Sequence, residues 1–256
     1  MAIELGPGVV LGAGVQIYAG GSGPTPLSDA NIYYPIQDIV NGAADGTAIT
    51  TLPNSGTDGS MFDATLVAGS AAPTAATFSG TRVMQAQGYS QNQIGFNLPN
   101  TFDVSTNGSL FMVGKSTVTS PAYARAIAFG GQNGSYRACF FGISSESNAS
   151  SFLLRNTGDG GMSLNGLVAT SGLKAFGIIK TGNTIVYFDN STTAVTWGGS
   201  ASGTYAFNSV AYRYYNSPFS PQPCTGYLGD MAWYDLAISV SKAQGIMSYL
   251  ISLYNI

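Results

Sequence analysis

The chain has 256 residues, enough to bury a substantial core in one large all-β domain or two small ones. Only 8% of residues are charged, against about a quarter in ordinary globular proteins, while 45% are hydrophobic and 12% aromatic, a balance that excludes disorder. Net charge is −3 and the nine Lys and Arg residues stand singly, so no basic stripe neutralises a row of phosphates and nucleic acid is excluded as a partner.

Residues 1–26 differ from the rest. Gly6-Pro-Gly-Val-Val-Leu11 is followed at once by Gly12-Ala-Gly-Val-Gln-Ile17, two copies of Gly-x-Gly-Val-x-(Leu/Ile). Two such repeats cannot bury their own apolar row. Gly6, Gly8, Val9, Leu11, Gly12, Gly14, Val15 and Ile17 are therefore expected to form an arm that orders against a partner subunit, the alternative being a flexible Gly-rich leader. Gly20–Pro26 reads as a hinge. Met1–Gly8 lacks the basic start and long apolar core of a signal peptide. No apolar run approaches the roughly 18 residues that span a bilayer, so no membrane partner is expected.

From about Ile32 the pattern predicts short strands between turn clusters. They are Met61–Val67, Arg82–Gln87, Gln93–Leu98, Leu110–Gly114, Ala138–Ile143 and Ser151–Arg155. Met162–Val168, Leu173–Lys180, Thr184–Phe188, Ala194–Trp197, Thr204–Tyr215 and Tyr227–Tyr234 follow. Asn156–Gly161 and Lys180–Asn183 are predicted hairpin turns, with glycine supplying positive φ. Many strands without interleaved helices exclude a parallel α/β sheet and indicate an antiparallel sandwich.

The chain closes on one amphipathic helix. Ala243, Ile246, Met247, Leu250, Ile251 and Tyr254 form a single apolar stripe. Ser239 is placed as N-cap, with Lys242 where a capping box would carry Glu. At about 15 residues this helix is marginal alone and must dock its stripe on an apolar surface.

The catalytic inventory is thin. The chain has no histidine, and its two glutamates, Glu4 and Glu146, lie far apart without a Glu-x-Asp-x-Glu pattern. Asp230 and Asp235, five apart, point to opposite faces of a regular strand. A paired-carboxylate glycosidase site and a Ser-His-Asp arrangement are both missing, so no enzyme is predicted. Asp45-Gly46, Asp58-Gly59 and Asp159-Gly160 offer turn carboxylates that calcium could use, but turn formation is the default without Asp-x-Asp-x-Asp spacing. No cofactor is predicted. Cys139 and Cys224 read as buried thiols, although a sandwich could bring them together. For binding, the aromatic run Thr204–Asn216 stands out. Trp197, Tyr212, Arg213, Tyr214 and Tyr215 are candidate glycan or partner contacts, against the alternative that they pack a strand on both sides.

Leu52-Pro-Asn-Ser-Gly56, Phe62-Asp-Ala-Thr-Leu66 and Ala72-Pro-Thr74, with the Gly182–Asn190 hairpin and the closing Gly226–Asp235 strand, Ser239 and Tyr249-Leu250…Tyr254, resemble the concanavalin A-like, laminin-G-like jelly-roll domains of bacterial surface proteins and phage virions. Asn54 stands where that family's opening run carries aspartate, and Lys242 where it often carries an acid. The resemblance implies a jelly-roll β-sandwich over 27–256 with one C-terminal helix, preceded by a 1–26 assembly arm and hinge. The Gly-x-Gly-Val repeat looks like leaders of phage virion proteins. This implies a non-enzymatic virion structural protein (head decoration, fibre or tail) assembled with other virion proteins and copies of itself. The alternative is a carbohydrate-binding module or host-glycan adhesin, extracellular or at a cell surface.

Overall fold

A computed structural model describes residues 25–256 apart from 69–70, 88–94, 117–121, 134–136, 147–148, 157–159, 166–171, 204, 215–220 and 224. Side chains of several strand residues within 122–165 and 212–223 are likewise outside the described set. The arm residues Gly6, Gly8, Val9, Leu11, Gly12, Gly14, Val15 and Ile17 lie outside it, as do Asp159, Tyr215 and Cys224.

In chain order the elements are β1 (Ile32–Tyr34), α1 (Ile36–Ile39), β2 (Thr51–Leu52), β3 (Ala64–Leu66), β4 (Thr74–Phe78), β5 (Thr81–Gln87), β6 (Phe96–Asp103) and β7 (Asn107–Ser116). Next come β8 (Ala122–Asn133), β9 (Arg137–Glu146), β10 (Ala149–Asn156), β11 (Gly160–Asn165), β12 (Lys174–Thr181), β13 (Thr184–Asp189) and β14 (Val195–Thr196). The last are β15 (Ala206–Val210), β16 (Tyr212–Tyr214), β17 (Pro221–Pro223), β18 (Thr225–Tyr234) and α2 (Val240–Tyr254). One sheet runs β14-β13-β12-β7-β18-β5-β4, with β1 also on β18, and the other runs β11-β10-β9-β8-β15-β6-β3-β2. Two antiparallel sheets and a closing helix make the jelly-roll β-sandwich expected from the sequence.

Alternation along β7 explains the layering. Leu110 and Met112 belong to the core between the sheets, whereas Phe111 and Val113 belong to a second core beneath α2. The first sheet is thus buried on both faces, which is why β7 reads as an unbroken apolar run. The helix supplies the second cover. Ala243, Ile246, Met247, Leu250 and Tyr254 are buried on it as predicted, Tyr249 joins them, and Ile251 is half-buried. Ser239 Oγ accepts the Lys242 backbone N–H at 3.2 Å, and Asn255 closes the helix in the left-handed conformation. The Lys242 side chain leaves the N-terminal dipole for the Asp29 carboxylate and the face of Tyr234. Among the described residues no helix is long and apolar enough to cross a membrane.

Two predicted strands change form. Met61–Val67 begins as a 3-10 turn, Gly59–Phe62, and becomes strand only at Ala64. Asn54 is the cause. Its amide donates to Asn31 O and Gly59 O, its Oδ1 accepts from Tyr33 N and Gly56 N, and its own N–H goes to Asp63. This one side chain ties the opening motifs into a knot. The long strand Thr204–Tyr215 divides at Ala211, whose φ of 63° is uncommon for a residue with a Cβ. There the chain leaves β15 to form the separate β16–β17 ribbon. β8, β1 and β4 were not legible as strands. β8 is built largely on Ala and Gly, whose β propensity is low, and the long ladder to β9 overrides it.

Candidate functional site

The chain crosses from one sheet to the other between β6 and β7, at Val104-Ser105-Thr106. An open cleft of about 430 Å³ lies at that end of the sandwich. Phe62 from the 3-10 turn, Phe102 from β6 and Trp233 from β18 form its floor, and Thr101, Asp103, Thr106, Asn107 and Asp235 line the rest. The three rings pack on one another: Phe102 and Trp233 lie 4.6 Å apart at 35°, and Phe62 meets both at 6.2 Å. Each is anchored in the core and 4–7% exposed. Trp233 is more than nine-tenths buried, yet its Nε1 has no hydrogen-bond partner. A buried indole N–H usually finds one.

The polar rim is held by its own backbone. Asp103 Oδ1 accepts the Ser105 N–H at 3.0 Å, shaping the crossing as an Asx turn. Asn107 Oδ1 accepts Gly182 N–H at 3.4 Å, joining the rim to the β12–β13 hairpin, where Gly182 adopts φ of 56° as its predicted turn requires. Behind the turn, the Lys180 ammonium is buried, donates to Ser105 O and Gly182 O, and lies over the Tyr205 ring. Burial lowers the Lys180 pKa and the nearby Asp103 charge opposes that shift. Asp235 is exposed, its N–H is held by Asn31 Oδ1 at 3.0 Å, and its carboxylate makes no hydrogen bond among the described residues.

The cleft therefore combines a largely buried aromatic floor, in which Phe62 meets Phe102 and Trp233 edge-on, with exposed hydroxyl, amide and carboxylate groups. Such hydroxyl, amide and carboxylate groups can donate to and accept from a polar ligand. Among the described residues the cleft holds no cysteine or lysine, and no group of three or more metal-ligating side chains occurs. Asp45 is bound to Arg82 and Thr77, and Asp58 to Asn31. Gly46 and Gly59 after them take positive φ, the turn role those Asp-Gly pairs were predicted to play.

A second cluster of polar groups is enclosed. β18 pairs with β5 through Leu228 and with β1 from Met231, and its register on β7 shifts between the same two residues. At the shift, Asp230 N–H donates to Tyr254 Oη at 2.8 Å, and that hydroxyl donates to Asp230 Oδ1 at 2.6 Å. Tyr33 Oη donates to Oδ2 at 2.7 Å and Gln37 N–H to Oδ1 at 3.2 Å. A Cβ on Gly229 would lie 2.6 Å from the Tyr254 ring, so glycine is needed where the helix seals the bulge. Burial pushes Asp230 up to about 6 despite three donors that favour its charged form. This is an internal clamp, with Asp230, Tyr33 and Tyr254 all buried.

Of the residues singled out from the sequence, Trp197 is not among the described residues that line the cleft, and Tyr215 lies outside the described residues. Trp197 is half-buried beyond β13, its N–H bonded to Ile185 O and its ring against Gly199. Tyr212, Arg213 and Tyr214 form β16, paired with Pro223, Gln222 and Pro221 and packed across β8 and β9. Their side chains are outside the described residues. Beneath the ribbon, Ile127 pairs with Gly142 on the face opposite Ala126 and Ile143 and is fully buried. Cys139 is buried in the inter-sheet core. Sequence reasoning missed the cleft because Phe102-Asp103, Thr106-Asn107 and Trp233…Asp235 meet only through the topology. Its local trace is a polar turn between two apolar strands.

No family model and no curated protein matches the chain. Solved structures do. Domain 4 of the extracellular arabinanase AbnA from Geobacillus stearothermophilus, solved in complex with arabinotriose, matches with a TM-score of 0.52 at 11% identity, covering 86% of this chain and 98% of that one. The botulinum neurotoxin serotype G binding domain matches with the same TM-score and identity, covering 88% of this chain and 51% of its own. A mutant Trypanosoma rangeli sialidase matches with a TM-score of 0.50 at 9% identity, over 85% and 36%. The chain thus spans about half the length of the toxin binding-domain structure, and the likenesses establish the all-β sandwich fold.

Proposed function

We propose that this chain is a non-catalytic carbohydrate-binding domain whose sugar site is the β6–β7 cleft. The observation that carries the reading is the juxtaposition of Phe62, Phe102 and Trp233 with the exposed groups of Thr101, Asp103, Thr106, Asn107 and Asp235. Its volume falls at the lower end of the roughly 300–1,000 Å³ spanned by small-molecule sites, the size for a short stretch of glycan. The arabinotriose complex of a domain similar over almost its whole length supports a sugar role for this architecture. A host-glycan adhesin outside the cell is the corresponding setting.

Calorimetric titration of oligosaccharides selected on a glycan array tests the reading. Binding by the full chain that is lost in Asn107→Ala and kept in Tyr214→Ala places the sugar in the cleft. The reverse pattern moves it to the β16 ribbon, where Tyr212, Arg213 and Tyr214 stand as the competing contact set. Absence of binding to any glycan sinks the proposal.

A virion structural role is the second reading, favoured by the Gly-x-Gly-Val repeat of residues 6–17. In it the arm docks on copies of this chain or on other virion proteins. Light scattering of the full chain and of a chain lacking residues 1–24 tests it. The cut spares Pro26, whose carbonyl accepts from Tyr234 Oη at 3.2 Å. Oligomers that dissociate on truncation support the arm.

A further inference from the structure

The charges at the cleft point to a ligand class, resting on the reading of the cleft as a sugar site. We propose that it ranks sugars by charge: amino-bearing sugars first, neutral sugars next, and carboxylate-bearing sugars last.

Asp103 and Asp235 are exposed on the lining, and among the described residues no Lys or Arg lines the cleft. Among the described residues neither carboxylate is in an ion pair. Asp103 spends one oxygen on a backbone N–H, and Asp235 spends none among the described residues. A third acid stands behind the rim, since Asn31 bonds both the Asp235 N–H and the Asp58 carboxylate. The nearest cation in this arrangement, Lys180, is buried behind Ser105 with its ammonium on two carbonyls. It trims the field of Asp103 and offers a ligand no hydrogen bond. Ionised carboxylates only accept, so their free oxygens match sugar hydroxyls or a protonated amine. An acidic sugar meets two like charges, with Thr101, Thr106 and Asn107 as the side-chain donors among the described lining residues. A net charge of −3 over the chain adds to the bias.

A printed array of β-1,4-linked glucose, galactose and mannose trisaccharides, each with its 2-amino and 6-carboxylate counterpart, tests the ranking on the full chain at low and high salt. On each backbone that binds, roughly tenfold stronger retention is expected for the amine than for the carboxylate, the gap narrowing in salt. Asp103→Asn with Asp235→Asn should bring the amine-to-carboxylate retention ratio towards one on every backbone that the variant binds. The Asn at 103 can still cap Ser105, so folding is preserved and unfolding temperature verifies it. Carboxylate sugars held as tightly as neutral ones, or a ranking unchanged in the double variant, overturn the inference and leave the sugar site standing. An array without any bound sugar overturns both.

Discussion

Two aspartates five residues apart, Asp230 within β18 and Asp235 just past its end, meet opposite fates. Asp230 is fully enclosed and takes hydrogen bonds from Tyr33, Tyr254 and the Gln37 backbone. Asp235 stands in solvent at the cleft with its carboxylate uncommitted. The register shift after Leu228 opens a gap between β5 and β1, and α2 closes it. Acid chemistry alone therefore does not mark a site. One carboxylate holds the fold together, while the other, beside Phe102 and Trp233, is left for a ligand.

Breaking the enclosed side has the largest effect. Asp230→Ala leaves two tyrosine hydroxyls and a backbone N–H without their acceptor, and should cost about 3–5 kcal/mol. Thermal unfolding should fall by roughly 10 °C. A change under about 1 kcal/mol would remove the clamp from the account.

The pH dependence comes next. Burial, opposed by the tyrosine and backbone donors, holds Asp230 at about 6, above its ordinary 3.8, so the folded chain binds the proton more tightly than the unfolded one. This stability is fully present below about pH 3.8 and is lost as pH rises through about 6, at most about 3 kcal/mol. Asp38 adds in the same direction by raising Asp230, and Asp189, raised by its own burial, leaves a residual slope. Denaturant unfolding from pH 4 to 7 should show the decline, and Asp230→Asn should flatten most of it. A profile identical in that variant would assign the slope elsewhere.

Ser239→Ala tests the helix that seals the gap and should cost about 1 kcal/mol by denaturant midpoint. The smallest stability effect belongs to the open side. Asp235→Asn should move stability by no more than about 0.5 kcal/mol while changing glycan retention, the reverse of Asp230→Ala. Equal losses of stability at both positions would erase the distinction.

The amphipathic helix, its Ser239 cap, the Lys180–Asn183 hairpin and the sandwich class were legible in the sequence because each is a local pattern. Period, cap and turn chemistry act over a few residues. The strand that began at Met61 and the unbroken run through Tyr215 were misjudged because Asn54 and Ala211 redirect the chain through contacts that propensity does not contain. Cys139 was read as buried and is, while its relation to Cys224 lies outside the described residues.

By itself the sequence determined that this chain builds antiparallel sheets closed by one docked helix, since alternation and stripe dictate which faces leave water. Only the tertiary structure decided that Phe62, Phe102 and Trp233 share a floor, that Asp103 and Asp235 share a rim, and that Asp230 is hidden. Those residues come from two sheets, a 3-10 turn and the segment after β18, and the crossings that join the sheets carry no periodic signal.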